Sequence, residues 1–315
     1  MMMEQAVKRQ LRRSRDNGGG RAVAVDRRIC FLTVSTAAFA VLTASLSAQT
    51  LDSLAIRFSG MTAITGYEQA VTDSLLSLLP GSTRDRLGNV TLTLGRGTPR
   101  RLVYCALDEV GYVIGNITDD GYLLLRRVGG GQRLSPLFDQ QIEGQRVTLF
   151  GRKGAVPGVV AVRSTHLTRG RPAREEPPFT VDNAYVDVGA SSRDEVLALG
   201  ISILTPVSLT KRPHRYGDRL LAAPNAGRRA ACAALASAAL SRPRVRGSVV
   251  VAFTMQSLCA DTAGIRTVLS TQGPFAGARP VTVPTKFAET TVETVALKDV
   301  EALVADVMRW IGGGQ

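Results

Sequence analysis

With 315 residues, of which 44% are hydrophobic and 5% aromatic, the chain is long enough for one large domain or two smaller ones with a hydrophobic core. The formal net charge is +13, but the basic residues are scattered and form no dense stripe with interleaved aromatics. This argues against a nucleic-acid partner and leaves attraction to an anionic membrane surface or cell wall open. Two histidines are few for a dinuclear zinc site, and the four cysteines form no Cys-x-x-Cys pair.

Residues 1–48 have the pattern of a secretory signal peptide. Residues 1–28 carry eight Lys or Arg and three Asp or Glu, and an uncharged stretch ending in small residues follows at 29–48. We therefore expect cleavage after this segment and export to the periplasm, the cell envelope or the extracellular space. The alternative is a single membrane anchor, because 20 residues just span a bilayer. Membrane association is expected only if the segment stays uncleaved.

The first predicted elements of the mature chain lie between residues 51 and 111. Apolar residues at helical spacing, from Val71 to Leu79, predict a helix that Pro80 ends. Two strands are predicted next, Val90–Leu94 and Leu102–Leu107. The second is a nearly unbroken apolar run, which is typical of a strand buried on both faces of a sheet.

Residues 112–216 have a different pattern, with short alternating strands and Gly-rich turns. The predicted strands are Tyr112–Ile117, Tyr122–Arg127, Arg146–Phe150 and Val159–Val162. Ser192 and Glu195 form a capping box that opens a short helix, Val196–Leu199. We predict a small β-rich insert over 112–216.

The α/β pattern resumes over residues 217–315. The predicted elements are the Ala-rich helix Gly227–Ser241, the apolar strand Ser248–Phe253, the short strand Val281–Val283 and the amphipathic helix Lys298–Ile311. Together with residues 51–111, this segment predicts one α/β domain that the β-rich insert interrupts.

The three cysteines beyond the signal, Cys105, Cys232 and Cys259, all lie in apolar runs. This placement predicts small buried side chains. A disulfide between two of them after export is the alternative, which sequence alone does not decide.

Several short motifs, in the same order along the chain, resemble those of the tetrahedral, glutamyl-type aminopeptidases, a family of dinuclear zinc or cobalt exopeptidases. Tyr104-Cys105-Ala106-Leu107-Asp108-Glu109-Val110-Gly111 is similar to the family's His-Met-Asp-Glu-Val-Gly segment. The further motifs are Thr65-Gly66-Tyr67-Glu68, Asp85-Arg86-Leu87-Gly88-Asn89, Thr165-His166-Leu167, Asp187-Val188-Gly189-Ala190, Phe253-Thr254-Met255-Gln256 and Pro284-Thr285-Lys286-Phe287. The resemblance implies a central mixed sheet flanked by helices, with the β-rich insert as a dimerisation domain on which dodecameric shells are built.

The same resemblance implies that the metal chemistry is lost. In the family, two metal ions share a bridging aspartate, and a glutamate acts as general base. The first histidine ligand corresponds to Ala106, the bridging aspartate to Ala223 and the late histidine to Glu289. The paired glutamates fall on Ser257 and Leu258, and the remaining aspartate ligand belongs to a segment that is deleted here. Because these side chains supply too few ligands, we expect no bound zinc or cobalt.

Other sites are compatible with the residues but less favoured. Asp108, which orients the histidine in the family, is expected to keep a structural role. A new site of oxygen ligands suited to Ca²⁺ or Mg²⁺ would use Asp108, Glu109, Asp261 and Glu289. A nucleophilic Ser257 with His166 or His214 as base is disfavoured, because no Gly-x-Ser-x-Gly surrounds it and His214 is expected on an exposed loop.

The leading hypothesis is an exported, catalytically inactive aminopeptidase homologue that acts as a binding or assembly subunit. Its expected partners are a second copy of the chain or an active paralogue, bound through the β-rich insert, and a peptide ligand. One alternative is a residual metal-dependent aminopeptidase that uses relocated ligands. Another is a non-enzymatic envelope scaffold that self-associates through the insert.

Overall fold

The computed structural model describes residues 51–130, 138–161, 179–259 and 262–313. The helices α1 to α6 span residues 51–59, Gln69–Leu78, Arg193–Ala198, Ala226–Leu240, Ala263–Gln272 and Leu297–Gly312. The strands β1 to β14 span Thr83–Arg84, Val90–Gly95, Arg100–Ala106, Gly111–Ile117, Leu123–Val128, Arg146–Gly151, Gly154–Val160, Tyr185–Asp187, Pro206–Leu209, His214–Tyr216, Leu220–Ala222, Ser248–Thr254, Gly277–Pro280 and Thr294–Ala296. No helix among these described residues has the length and apolar character that a membrane crossing needs.

The core of the fold is a mixed five-stranded sheet in the order β1-β2-β12-β3-β13. The central strand β12 is antiparallel to β2 and parallel to β3, with Ser248 opposite Arg100 and Thr254 opposite Ala106. All seven residues of β12 are buried, as its continuous apolar run predicts. The edge strand β13 is also parallel to β3, so the carboxyl ends of three strands lie at the same edge of the sheet.

Helices cover both faces of this sheet, as the α/β pattern predicts. On one face, the Ala-rich helix α4 and the apolar side of α6 belong to the same buried cluster as Val103, Val251 and Phe253. On the other face, Val268 of α5 packs with Leu102, Val250 and Ala252 in a smaller cluster. Neighbouring residues of β3 and β12 thus face opposite clusters, because side chains alternate along a strand. The small side chains of α4 let it lie deep in the core, with twelve of its fifteen residues buried.

A second compact region is a closed six-stranded barrel, in the order β4-β5-β8-β7-β6-β9. Its strands lie between residues 111 and 209, and it has a hydrophobic core of its own. The short helix α3 is capped as its sequence predicts, since the Ser192 side chain accepts a hydrogen bond from the Glu195 amide. The next strand, β10, pairs instead with β11 in a separate three-stranded sheet, β10-β11-β14.

Two local predictions were wrong. The strand expected at Val281–Val283 begins four residues earlier and spans Gly277–Pro280, because the ladder with β3 ends opposite Tyr104. His214 lies in strand β10 rather than in a loop, although it is exposed as expected. Helix α5 was not predicted, since only Gly264 and Val268 of its ten residues are buried and the apolar pattern is correspondingly weak.

Candidate functional site

The candidate site is an open cleft of about 960 Å³ at the edge of the sheet where β3, β12 and β13 end. Open α/β sheets place their ligands at this edge. One wall consists of the start of α4 and the turn after β12, including Asn225, Arg228, Ser257 and Leu258. A further part of the lining is the segment that begins at the end of β13, from residue 280 to residue 293.

Four of the six residues that the sequence singles out line this cleft. They are Ala106, Ser257, Leu258 and Glu289. Asp108 lies buried beneath them, and its Oδ1 accepts a hydrogen bond of 2.5 Å from Ser257 Oγ. Its Oδ2 accepts from the Leu258 amide at 3.0 Å and from Thr65 Oγ1 at 2.9 Å. Asp108 therefore fixes the turn after β12, which supports the structural role expected for it.

The sixth residue, Ala223, does not reach the cleft surface. It is 2% exposed and lies between β11 and helix α4, within the main hydrophobic core. Asn225, two residues later, has a left-handed backbone conformation with φ of 59°, and it lines the cleft in place of Ala223.

A buried cluster of charges lies behind the cleft and is centred on Glu109. Its Oε2 accepts hydrogen bonds from Lys211 Nζ at 2.7 Å, Arg229 Nη2 at 2.9 Å and Asn225 Nδ2 at 2.9 Å. The side chains of Glu109 and Arg229 are fully buried, and that of Lys211 is 5% exposed. Arg229 also donates to the Leu107 carbonyl. The cluster therefore joins the segment that follows strand β3, helix α4 and the segment that leaves the barrel.

The pKa shifts of this cluster follow from its geometry. Burial alone would raise the pKa of Glu109, but the charges and hydrogen bonds of Lys211 and Arg229 outweigh burial and hold that pKa below its usual value. Burial lowers the pKa of Lys211, and the charge of Glu109 opposes that effect. Sequence analysis placed Glu109 in a candidate metal site and missed this role, because both of its cationic partners are distant in sequence.

Gly111 closes the Asp-Glu-Val-Gly segment for a steric reason. A Cβ atom at this position would lie 2.7 Å from carbons of the Ile64 side chain. The neighbouring backbone is held in place as well, since the Thr65 amide donates to the Glu109 carbonyl at 3.0 Å. The glycine therefore lets the first barrel strand begin in close contact with the loop before α2.

A disulfide joins Cys105 at the end of β3 to Cys232 in α4. Both cysteines are buried, as their apolar surroundings predict, and the disulfide state that the sequence left open is decided by the fold, which brings together two residues 127 positions apart. Cys259 is a free thiol on the cleft lining. Burial raises its pKa, and the charges of Asp108 and Glu68 add to the effect, so the thiol is protonated at neutral pH.

Comparisons with known proteins agree with the motifs. The family model for M42 glutamyl aminopeptidase matches residues 88–257, more than half of the chain. The chain belongs to this family. The putative aminopeptidase SgcX of Escherichia coli K12 is 33% identical over 180 residues, 55% of this chain and 46% of the relative. The lysyl aminopeptidase of Pyrococcus furiosus is 30% identical over 167 residues, 51% of this chain and 46% of the relative. The chain thus matches about half the length of these two relatives.

Solved structures show the same fold over most of the chain. The aminopeptidase APDkam598 of Desulfurococcus kamchatkensis superimposes with a TM-score of 0.69 at 16% identity, covering 85% of this chain and 96% of the other. The TET1 peptidase of Pyrococcus horikoshii, described as assembling into a tetrahedron or a large octahedral shell, gives 0.66 at 21% identity, covering 81% of this chain and 97% of the other. The mixed sheet with flanking helices is thus the M42 fold.

The residues of the cleft do not fit the two metal ions that the M42 family implies. Ala106, Ala223 and Leu258 have no lone pair to donate. Asp108, which lies buried next to Ser257, already accepts three hydrogen bonds through its two oxygens. Within the described ranges, no three His, Cys, Asp or Glu side chains are grouped closely enough to hold a metal. In the weaker oxygen site, Glu109 is neutralised by two cations and Asp261 lies outside the described residues.

Ser257 has partners that do not suit a nucleophile. Its hydroxyl donates to Asp108 and accepts from Arg228 Nη1 at 3.0 Å. His214, one candidate base, is exposed in β10 and stacks on Tyr216 with ring centroids 5.8 Å apart. The other candidate, His166, lies outside the described residues. A general base needs to lie within hydrogen-bond distance of its nucleophile, and the described part of the chain brings no histidine to Ser257.

Proposed function

We propose that this M42 homologue binds peptides, or a partner subunit, in the retained cleft without hydrolysing them. The observation that carries the proposal is the combination of an open cleft of about 960 Å³ with Ala106 and Leu258 on its lining. A cleft of this size is typical of small-molecule and peptide sites. Hydrolysis by the family's route needs metal ligands and a base at these positions, and aliphatic side chains supply neither.

Export is part of the same proposal. The disulfide between Cys105 and Cys232 supports it, because structural disulfides form and persist in oxidising compartments such as the periplasm or the extracellular space. The basic and then apolar pattern of residues 1–48 supports it independently. Expression with and without residues 1–48, followed by cell fractionation and mass measurement of the exported chain, tests both export and cleavage.

Self-association through the barrel is the proposed mode of assembly. Large apolar side chains are exposed on helix α3 and the segment after it, including Leu197 at 47%, Ile203 at 48% and Leu204 at 61% exposure. Exposed apolar patches of this kind mark interaction sites. Light scattering at micromolar concentration tests the proposal, with Leu204→Asp as the disrupting variant. A monomeric wild-type chain would contradict it, and so would an assembly that the variant leaves unchanged.

Metal stoichiometry is the direct test of the proposed loss of catalysis. The purified chain is incubated with zinc or cobalt, desalted and analysed by plasma mass spectrometry, with the lysyl aminopeptidase of Pyrococcus furiosus treated identically as the positive control. We expect essentially no metal on this chain and no release of amino-acid anilides. Bound metal at one or two equivalents, together with anilide hydrolysis near the rate of the control, would refute the proposal.

A residual metal-dependent aminopeptidase is the second candidate. Membership of the M42 family favours it, as does the exposed carboxylate of Glu289 in the cleft. This candidate requires that EDTA lowers both the melting temperature and the peptidase activity of the chain. If neither changes, the residual peptidase is excluded.

A further inference from the structure

We infer that the cleft recognises its peptide ligand through a carboxylate, which the guanidinium of Arg228 binds. The inference rests on the proposed function, since it names the class of peptide that the non-hydrolytic cleft accepts. The carboxylate is either the C-terminus of the peptide or an Asp or Glu side chain, because the recognising chemistry is the same.

Arg228 is placed to bind an anion from the cleft. It is exposed in the first turn of α4, it lines the cleft, and its Nη1 donates to Ser257 Oγ at 3.0 Å. A guanidinium has five N–H donors in a planar fork, and this bond uses one of them. Among the described residues, no carboxylate forms an ion pair with Arg228, whereas its neighbour Arg229 is paired with Glu109. The remaining donors fit the two oxygens of a carboxylate.

The start of helix α4 adds positive electrostatic potential to that of the Arg228 guanidinium. The first turn contains two arginines and no acidic residue, although the positive end of a helix dipole disfavours basic side chains there. Glu293 accepts a hydrogen bond from the Gly227 amide at 3.1 Å, and Glu109 compensates Arg229. Arg228 is therefore the first-turn charge that the described carboxylates leave uncompensated, and a bound anion would stabilise it.

The part of the lining that follows β13 suits an extended peptide backbone. Strand β13 ends at Pro280, and the next amide, that of Val281, still pairs with the Tyr104 carbonyl at 2.9 Å. Thr282 then lies exposed on the cleft lining and forms no hydrogen bond with any other described residue. Its backbone N–H and C=O are thus free to pair with a strand laid along this edge, the geometry of β-augmentation.

The other carboxylates of the cleft restrict the ligand further. Glu289 is exposed on the cleft lining, whereas Glu293 is buried and accepts a hydrogen bond from the Glu289 amide at 2.9 Å. Asp108 lies beneath Ser257 with its oxygens already hydrogen-bonded. A ligand with many negative charges would be repelled by these groups. The cleft therefore favours a peptide with a single carboxylate near Arg228 over a polyanion.

The test is fluorescence anisotropy of the full purified chain with N-terminally labelled pentapeptides rich in Val and Thr. One probe has a free C-terminal carboxylate, the second is its C-terminal amide, and two further amides carry a central Asp or Asn. The variant is Arg228→Gln, which keeps hydrogen-bond donors but removes the charge. The matched control is Arg96→Gln. Arg96 is exposed in the turn between β2 and β3, at the end of β3 that lies away from the cleft.

We expect a peptide with a carboxylate, at its C-terminus or on Asp, to bind about tenfold or more tightly than its neutral counterpart. Arg228→Gln should abolish that preference, whereas Arg96→Gln should leave it unchanged. Equal binding of acidic and neutral peptides would overturn the carboxylate inference and leave peptide binding in place. Binding of none of the peptides would overturn both the inference and the proposed peptide ligand. Mass spectrometry of the recovered peptides completes the test, because cleavage would refute the non-hydrolytic function alone.

Discussion

Reduction of the Cys105–Cys232 disulfide is expected to lower the free energy of unfolding by several kcal/mol. The two cysteines are 127 residues apart. Cross-linking so long a loop removes conformational freedom from the unfolded chain, and the chain-entropy relation gives about 5 kcal/mol at 25 °C. That value is the upper end of the measured range, and whole domains are stable by only about 5–15 kcal/mol. The disulfide is thus expected to be one of the largest single contributions to stability.

The assay is urea unfolding followed through the fluorescence of the single tryptophan. Trp310 lies on α6, with the guanidinium of Arg101 5.1 Å from its ring centroid. Helix α6 packs in the same core cluster as Cys232, so the probe responds to loss of this packing. Oxidised and reduced protein are compared in a Cys259→Ser background, which prevents exchange with the free thiol. The same variant, oxidised, should unfold at the wild-type urea concentration.

Two results would refute this reasoning. Oxidised and reduced protein that unfold within about 1 kcal/mol of each other would show that the loop closure contributes little. The second result comes from peptide mapping of the non-reduced exported chain. If Cys105 and Cys232 were found unlinked, the disulfide on which the prediction depends would not exist.

Three further predictions concern the buried charges and the lost metal positions. Glu109→Gln leaves Lys211 and Arg229 buried without their counter-ion and should destabilise the fold by about 3–5 kcal/mol in urea titrations, whereas Glu143→Gln, at an exposed position, should change little. Comparable losses in both variants would contradict the buried-charge argument. The pKa of Glu109 in the folded state lies below its ordinary value. Its contribution to the free energy of unfolding is therefore fully present above the pKa of the unfolded state, and it is lost as the pH falls through the pKa of the folded state. The stability difference between wild type and Glu109→Gln, followed from pH 7 downward, should therefore shrink in acid, and a constant difference would rule out ionised Glu109 as its source. Restoring the family's ligands at the positions that line the cleft should create a metal site, since three protein ligands suffice for one zinc, and the variant combines Ala106→His, Ser257→Glu, Leu258→Glu and Glu289→His. A folded variant that binds no more zinc than the wild type, by plasma mass spectrometry, would show that these positions are wrongly assigned.

Much of the local structure follows from the sequence because its signals are short-range. The unbroken apolar run of β12, the 3.6-residue pattern of α6 and the capping box before α3 each depend on neighbours within one element. Elements without a clear apolar pattern were missed or misplaced, because they lack such a local signal. Helix α5 buries only Gly264 and Val268, and β13 is a four-residue edge strand in which exposed and half-buried residues alternate.

The candidate site, too, could be predicted only in part from the sequence. The identity of Ala106, Ala223 and Leu258 is a property of the sequence, and aliphatic side chains lack lone pairs in any fold. The shared cleft of Ala106, Ser257, Leu258 and Glu289, by contrast, depends on three strand ends meeting at one edge of the sheet. The family resemblance predicted that these residues lie together. The contact of Arg228 with Ser257, however, is known only from the tertiary structure.

The sequence by itself determined the class of fold and the family of this chain, since both follow from local pattern and residue identity. Only the tertiary structure decided that Cys105 pairs with Cys232 across 127 residues, and that Glu109 meets Lys211 and Arg229 across 102 and 120 residues. The physical reason is that burial and long-range packing select such partners. A cysteine or a carboxylate in an apolar run carries no local signal of which distant group will lie beside it.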